Sequence, residues 1–160
     1  MDKKYIFLLT LTPAVVILDQ ITKIYIDGAM QLYQSIEVLE NLFNITYVRN
    51  KGAAFGILSG ANESLRVPFF LVVSTIAIAV IIYMIYSYKE ESKIFPLSLA
   101  LILGGAIGNA IDRIRIGEVI DFLDVHWYEH HWPAFNVADA AICIGVAFLI
   151  INMLFEKEKS

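Results

Sequence analysis

Asp121 and Asp139 stand 18 positions apart in a chain of 160 residues, and two carboxylates at close range can hydrolyse an amide without a metal. The first charge opposes the second ionisation, so such a pair shares one proton. The ionised member takes a proton from water as it attacks the scissile carbonyl. The protonated member hydrogen-bonds the carbonyl oxygen and stabilises the charge that develops there. Carboxylate count alone does not single out these two, since Asp112, Glu118 and Asp124 crowd the same region. Each also has an ordinary reading. Asp139 three residues after Asn136 is what a helix-opening capping box requires, with Pro133 suited to the approach, and Asp121 can be a plain loop carboxylate.

Other groups compete for attention. Gly105, Asn109 and Arg113 fall at i+4 intervals, which puts an amide and a guanidinium one turn apart beside a small-residue stripe of Ala100, Gly104 and Gly108. The stripe reads as a helix-packing face, whereas polar groups at membrane depth are costly and point to function. Asp19 and Lys23 have the i, i+4 order favourable for an ion pair and read as a structural pair or helix-end anchor. His126, Glu129, His130 and His131 cluster, but without the His-Glu-x-x-His order of a zinc hydrolase. Ser59-Gly60 lacks the setting of a serine nucleophile. Cys143 is the single cysteine and is expected to fill space between helices.

The elements that must position these residues are membrane helices. With 58% hydrophobic and 18% charged residues, the chain departs from soluble composition. A bilayer core of ~30 Å needs about 20 apolar helical residues per crossing. Stretches near 5–26, 67–88, 96–114 and 137–155 meet that need, which makes the expected fold an all-α membrane bundle of four helices in one domain. The Asp2-Lys3-Lys4 start precedes a run without an Ala-x-Ala-like site, so it reads as a retained first span. Four crossings bring the 27–66 loop, the 115–136 loop and the start of the fourth span to one face. The Lys and Arg residues divide six and six between faces. Those beside the termini are packed close to span ends, which favours cytoplasmic termini. Within the first loop, Leu42 to Val48 alternates like a strand and Asn50-Lys51-Gly52 is turn chemistry, predicting a small β-containing subdomain. Trp127, Tyr128, Trp132 and Phe135 suit the headgroup zone. The net charge of −4 and scattered basic residues argue against nucleic acid as a partner. A proton-coupled transporter with an Asp relay is the alternative from another class, although its carboxylates belong near the bilayer midplane.

Five motifs occur in order: Asp19-Gln20-x-Thr22-Lys23, Asn50-x-Gly52-Ala53-Ala54-Phe55-Gly56, Gly104-Gly105-Ala106-x-Gly108-Asn109-x-x-Asp112-Arg113, Val119-Ile120-Asp121-Phe122 and Phe135-Asn136-x-Ala138-Asp139. Together they closely resemble the lipoprotein signal peptidases, or signal peptidase II, over essentially the whole chain. The resemblance implies Asp121 and Asp139 as an aspartyl dyad, with Asn50, Asn109, Arg113 and Asn136 lining the substrate site and no metal or cofactor. It also implies a bacterial inner-membrane enzyme, working as a monomer near the extracytoplasmic surface. Its substrates would be diacylglyceryl-modified prolipoproteins, cut before the lipid-bearing cysteine. Apolar walls would receive the lipid, and Ala53-Ala54-Phe55 would close over the peptide. Ile120 where many relatives have Val, and Ala140 where Ser is frequent, are small departures.

Overall fold

The computed structural model describes residues 3–52, 62–89 and 92–157; the expected closing segment Ala53-Ala54-Phe55 and the Ser59-Gly60 pair lie outside them. Four helices are long and apolar enough to cross a membrane: α1 (Lys3–Ala29), α2 (Glu63–Ser87), α3 (Ile94–Ile116) and α4 (Val137–Lys157). They cover the four expected stretches, each helix starting or ending within a few residues of the expected bounds. The many large apolar side chains left exposed on them are the lipid-facing surface expected of such helices.

Helix α3 is the hub, packing on α1, α2 and α4. Its glycines explain how. A Cβ on Gly104 would come within 2.8 Å of Val15 on α1, and one on Gly105 within 2.3 Å of the Ala138 carbonyl on α4. In both places the missing side chain is what admits the neighbour. Helix α1 answers with a buried stripe of Thr12, Val15, Asp19, Lys23 and Ile26, spaced by three and four residues. Thr12 Oγ1 donates to the Ala100 carbonyl at 3.0 Å, joining the two helices in the apolar layer. On the other flank Ile81 and Ile85 of α2 pack against Leu99 and Leu103 of α3.

At one end of the bundle four antiparallel strands form a sheet in the order β1 (Ser35–Leu39), β2 (Phe43–Asn50), β3 (Val119–Trp127), β4 (His130–His131). The strand expected near Leu42 to Val48 is β2. The second loop, by contrast, is largely strand. Gly117 caps α3 in the left-handed conformation, φ 73°, and its N–H bonds back to the Arg113 carbonyl at 3.2 Å. The chain then enters β3 two residues later. Ile120 and Phe122 pack with Ile26 and Tyr47 against the end of α1. Strand alternation therefore turns Asp121, between them, to the opposite face of the sheet.

Candidate active site

Asp121 and Asp139 reach the same cavity from different elements, β3 and the first turn of α4. The cavity measures about 440 Å³ and is bordered also by Asn50, Asn109 and Arg113, with Val119, Trp132, Phe135 and Ile142 on its apolar side. Register does part of the positioning: Val48 pairs with Asp121, and Asn50 with Val119. The last residue of β2 is thereby placed beside the strand that carries the first aspartate.

Asn136 is the only described residue that hydrogen-bonds both carboxylates. Its Nδ2 donates to Asp121 Oδ1 at 2.7 Å, and its backbone N–H to Asp139 Oδ2 at 3.3 Å. Its Oδ1 accepts the Asp139 N–H at 2.9 Å. The reciprocal bonds between Asn136 and Asp139 are those of a capping box, so the ordinary reading of Asp139 and the functional one describe the same geometry. Asn136 is fully buried behind the pair and is absent from the cavity lining.

The remaining carboxylate oxygens are met by the other two amides. Asn50 Nδ2 donates to Asp121 Oδ2 at 3.1 Å, while Asn50 Oδ1 accepts the Gly52 N–H at 2.9 Å, the turn chemistry expected there. Asn109 Nδ2 donates to Asp139 Oδ1 at 2.7 Å. Arg113 lies on the cavity border with its guanidinium 4.8 Å from the Phe70 ring centroid, an attractive cation–π arrangement. Asp121 is 2% exposed. Burial first, and the charge of Asp139 second, push its carboxyl up to about 7, against the opposing hydrogen bonds from Asn50 and Asn136 and the Lys23 charge.

Below the two aspartates, Asp19 and Lys23 do form the expected ion pair, at 2.9 Å, with both side chains completely buried. The sequence reading did not supply Asp112 as a third member, 3.0 Å from Lys23 and equally buried. Its i, i+3 spacing from Asn109 was the available signal, because that spacing puts both on the α3 face toward α1.

One expectation is corrected. Cys143 is exposed and borders the cavity one turn beyond Asp139, so it does not fill space between helices. The histidines serve the sheet: His126 and His131 stack at 4.4 Å, and His131 Nδ1 lies 2.8 Å from Asp124 Oδ1. Among the described residues no three His, Cys, Asp or Glu side chains are grouped to hold a metal ion.

Comparison with known proteins agrees with the architecture. The model of a family described as signal peptidase (SPase) II matches residues 11–155. A lipoprotein signal peptidase of Geobacter sulfurreducens is 54% identical over 143 residues, covering 89% of this chain and 88% of that one. One from Geobacter metallireducens is 49% identical over 159 residues, covering 99% and 97%. A bacterial membrane enzyme structure obtained by the in meso method at 2.3 Å superposes with a TM-score of 0.85 at 36% identity, covering 95% of this chain and 90% of that one.

Proposed function

This chain belongs to the signal peptidase II family, and on that premise we propose that Asp121 and Asp139 are the catalytic carboxylates with which it removes signal peptides from prolipoproteins. The observation that carries the assignment is the bridge through Asn136, which bonds both carboxylates at the border of one cavity. With its carboxyl pushed up to about 7, Asp121 holds the shared proton and donates it toward the scissile carbonyl oxygen. Asp139 accepts a proton from the attacking water. The proton-coupled transport alternative draws no support from the relatives, which are named as peptidases.

A signal peptide crossing the bilayer is helical, and its amides must be freed before attack. Asn50, Asn109 and Arg113 border the cavity. Each amide spends one N–H on an aspartate and keeps a second for the unwound segment, while Arg113 offers only donors. Asn136 acts from behind, as a positioning residue. The apolar border of Val119, Trp132, Phe135 and Ile142 suits the acyl chains of a diacylglyceryl-modified cysteine, each buried methylene contributing about 0.8 kcal/mol. The chain is read as one membrane domain, active as a monomer in the bacterial inner membrane. Its termini are cytoplasmic and its cavity lies near the extracytoplasmic surface.

Asp121→Asn and Asp139→Asn should each lower turnover of a lipid-modified precursor by at least ~10³-fold in folded, membrane-inserted protein, because a dyad acts as one unit. Asp124→Asn, on the other face of β3, should stay near normal. Near-normal turnover by either of the first two variants removes that residue from the dyad.

A further inference from the structure

The ion cluster under the cavity is arranged with a symmetry that ion pairing alone does not require. Lys23 has three N–H donors and uses all of them: on Asp19 Oδ2 at 2.9 Å, Asp112 Oδ2 at 3.0 Å and Asn109 Oδ1 at 2.9 Å. Each of the two carboxylates takes a bond from Lys23 and lies near Gln20 Nε2, at 3.2 Å for Asp19 and 3.1 Å for Asp112. Each also takes one backbone N–H from outside its own helix. Asp19 accepts from Ala138 at 2.9 Å, and Asp112 accepts from Ile120 at 3.2 Å. Ala138 and Ile120 are the residues immediately before Asp139 and Asp121.

The Asn109 amide is oriented by the same cation, together with Asn136 Nδ2, which donates to the same Asn109 oxygen at 3.2 Å. An ammonium can only donate, so the Asn109 oxygen must face Lys23 and its nitrogen must face Asp139. A flipped amide would set Nδ2 against Lys23 and an oxygen against a carboxylate, leaving both contacts repulsive.

We propose that Asp19, Lys23 and Asp112 form the positioning device of the dyad, holding the backbone in front of each catalytic aspartate and turning Asn109 toward Asp139. The three side chains touch no reacting atom. They act by setting the separation of Asp121 and Asp139 and by keeping a donor on Asp139, with Arg113, Asn136 and Asn50 as the other groups facing the pair. This inference rests on the dyad assignment above.

The test measures kcat, KM and the pH profile per folded molecule, on a lipid-modified precursor, for variants that touch the cluster only. Lys23→Met keeps length without charge and should lower kcat by about 100-fold, the scale of a misplaced catalytic group. KM should stay within about 3-fold, and the pH profile should move to higher pH because the Lys23 charge no longer lowers the Asp121 carboxyl. Asp112→Asn keeps an oxygen for the Ile120 N–H and should retain kcat within about 10-fold, whereas Asp112→Leu should fall with Lys23→Met. Wild-type kcat and pH profile in folded Lys23→Met overturns the proposal. If Lys23→Met does not fold, the pair at 112 decides, and equal kcat for Asn and Leu there overturns it. Retained activity in Asp121→Asn or Asp139→Asn is a different result, which removes the dyad itself whatever the cluster variants do.

Discussion

The proton on Asp121 makes the site sensitive to pH in a direction that can be worked out. Burial and the neighbouring Asp139 push this carboxyl up to about 7, so the proton it donates in the proposed dyad is lost as pH rises through that value, and kcat/KM should decline there. The folded protein keeps this proton over a range in which the unfolded chain has lost it. Stability should therefore fall as pH rises from the ordinary carboxylate range toward 7. Asn50 bonds the charged form of Asp121 and lowers its pKa, so Asn50→Ala should move the alkaline limb of the activity profile to higher pH. A limb that stays put or moves down would show that Asn50 does not tune this group. Most of the site was legible at this scale because it lies in motifs: the aspartates and the amides of Asn50, Asn109 and Asn136 each sit in one. Arg113 was legible for the same reason. The role of Asn136 was only half legible, since a capping box can be read from spacing while the second carboxylate on its side chain comes from another element.

Among the elements, α3 and its glycines set the distance from which α4 presents Asp139. A Cβ at position 105 would meet the Ala138 carbonyl at 2.3 Å and Ile142 Cγ1 at 2.6 Å. Gly105→Ala should therefore cost roughly 1–3 kcal/mol through forced separation of α3 and α4, and should depress turnover because the displaced helix carries Asp139. Gly28→Ala on α1 has nothing within 4 Å of the new Cβ and should be neutral or stabilising by about 0.5–1 kcal/mol. Thermal unfolding in detergent compares the two, and equal effects would refute the packing account. The helices were readable from composition because lipid demands long apolar runs. Strand β3 was not, since Val119, Ile120, Asp121 and Phe122 are all buried, which erases the alternation that marks a strand covered on one face only. Strand β1 is exposed along its whole length, so the alternation of Ser35, Ile36, Glu37 and Val38 has no buried face behind it.

For the whole molecule, the proposed placement of the cavity relative to the membrane rests on the even number of described membrane helices and on the Lys residues beside the span ends. Cys143, the single cysteine, is exposed at the cavity and provides a direct check. A membrane-impermeant thiol reagent should modify it from the extracytoplasmic side of intact cells stripped of outer layers, and a bulky adduct should block cleavage. Modification only from the cytoplasmic side would invert the orientation proposed here. The general four-helix plan was legible because each crossing is a local property of the chain. The partnership of Asp112 with Lys23, 89 positions away, depends on which helices become neighbours, and the i, i+3 spacing of Asn109 and Asp112 marks a shared face without naming the helix it meets.

The buried cluster also has a consequence for biosynthesis. Its members come from α1 and α3, with α2 made between them. When α1 first enters the bilayer it carries an acid and a base one turn apart, a pair that can partly neutralise itself while each charge alone would be costly at the bilayer centre. Lys23 then has one of its three final partners, and the other two arrive only with α3. The first half of the protein is in effect held unfinished until the second half is synthesised. Chains truncated after α2 should accumulate poorly in membranes, and co-expression of a second fragment beginning before α3 should rescue them, as immunoblots of membrane fractions would reveal.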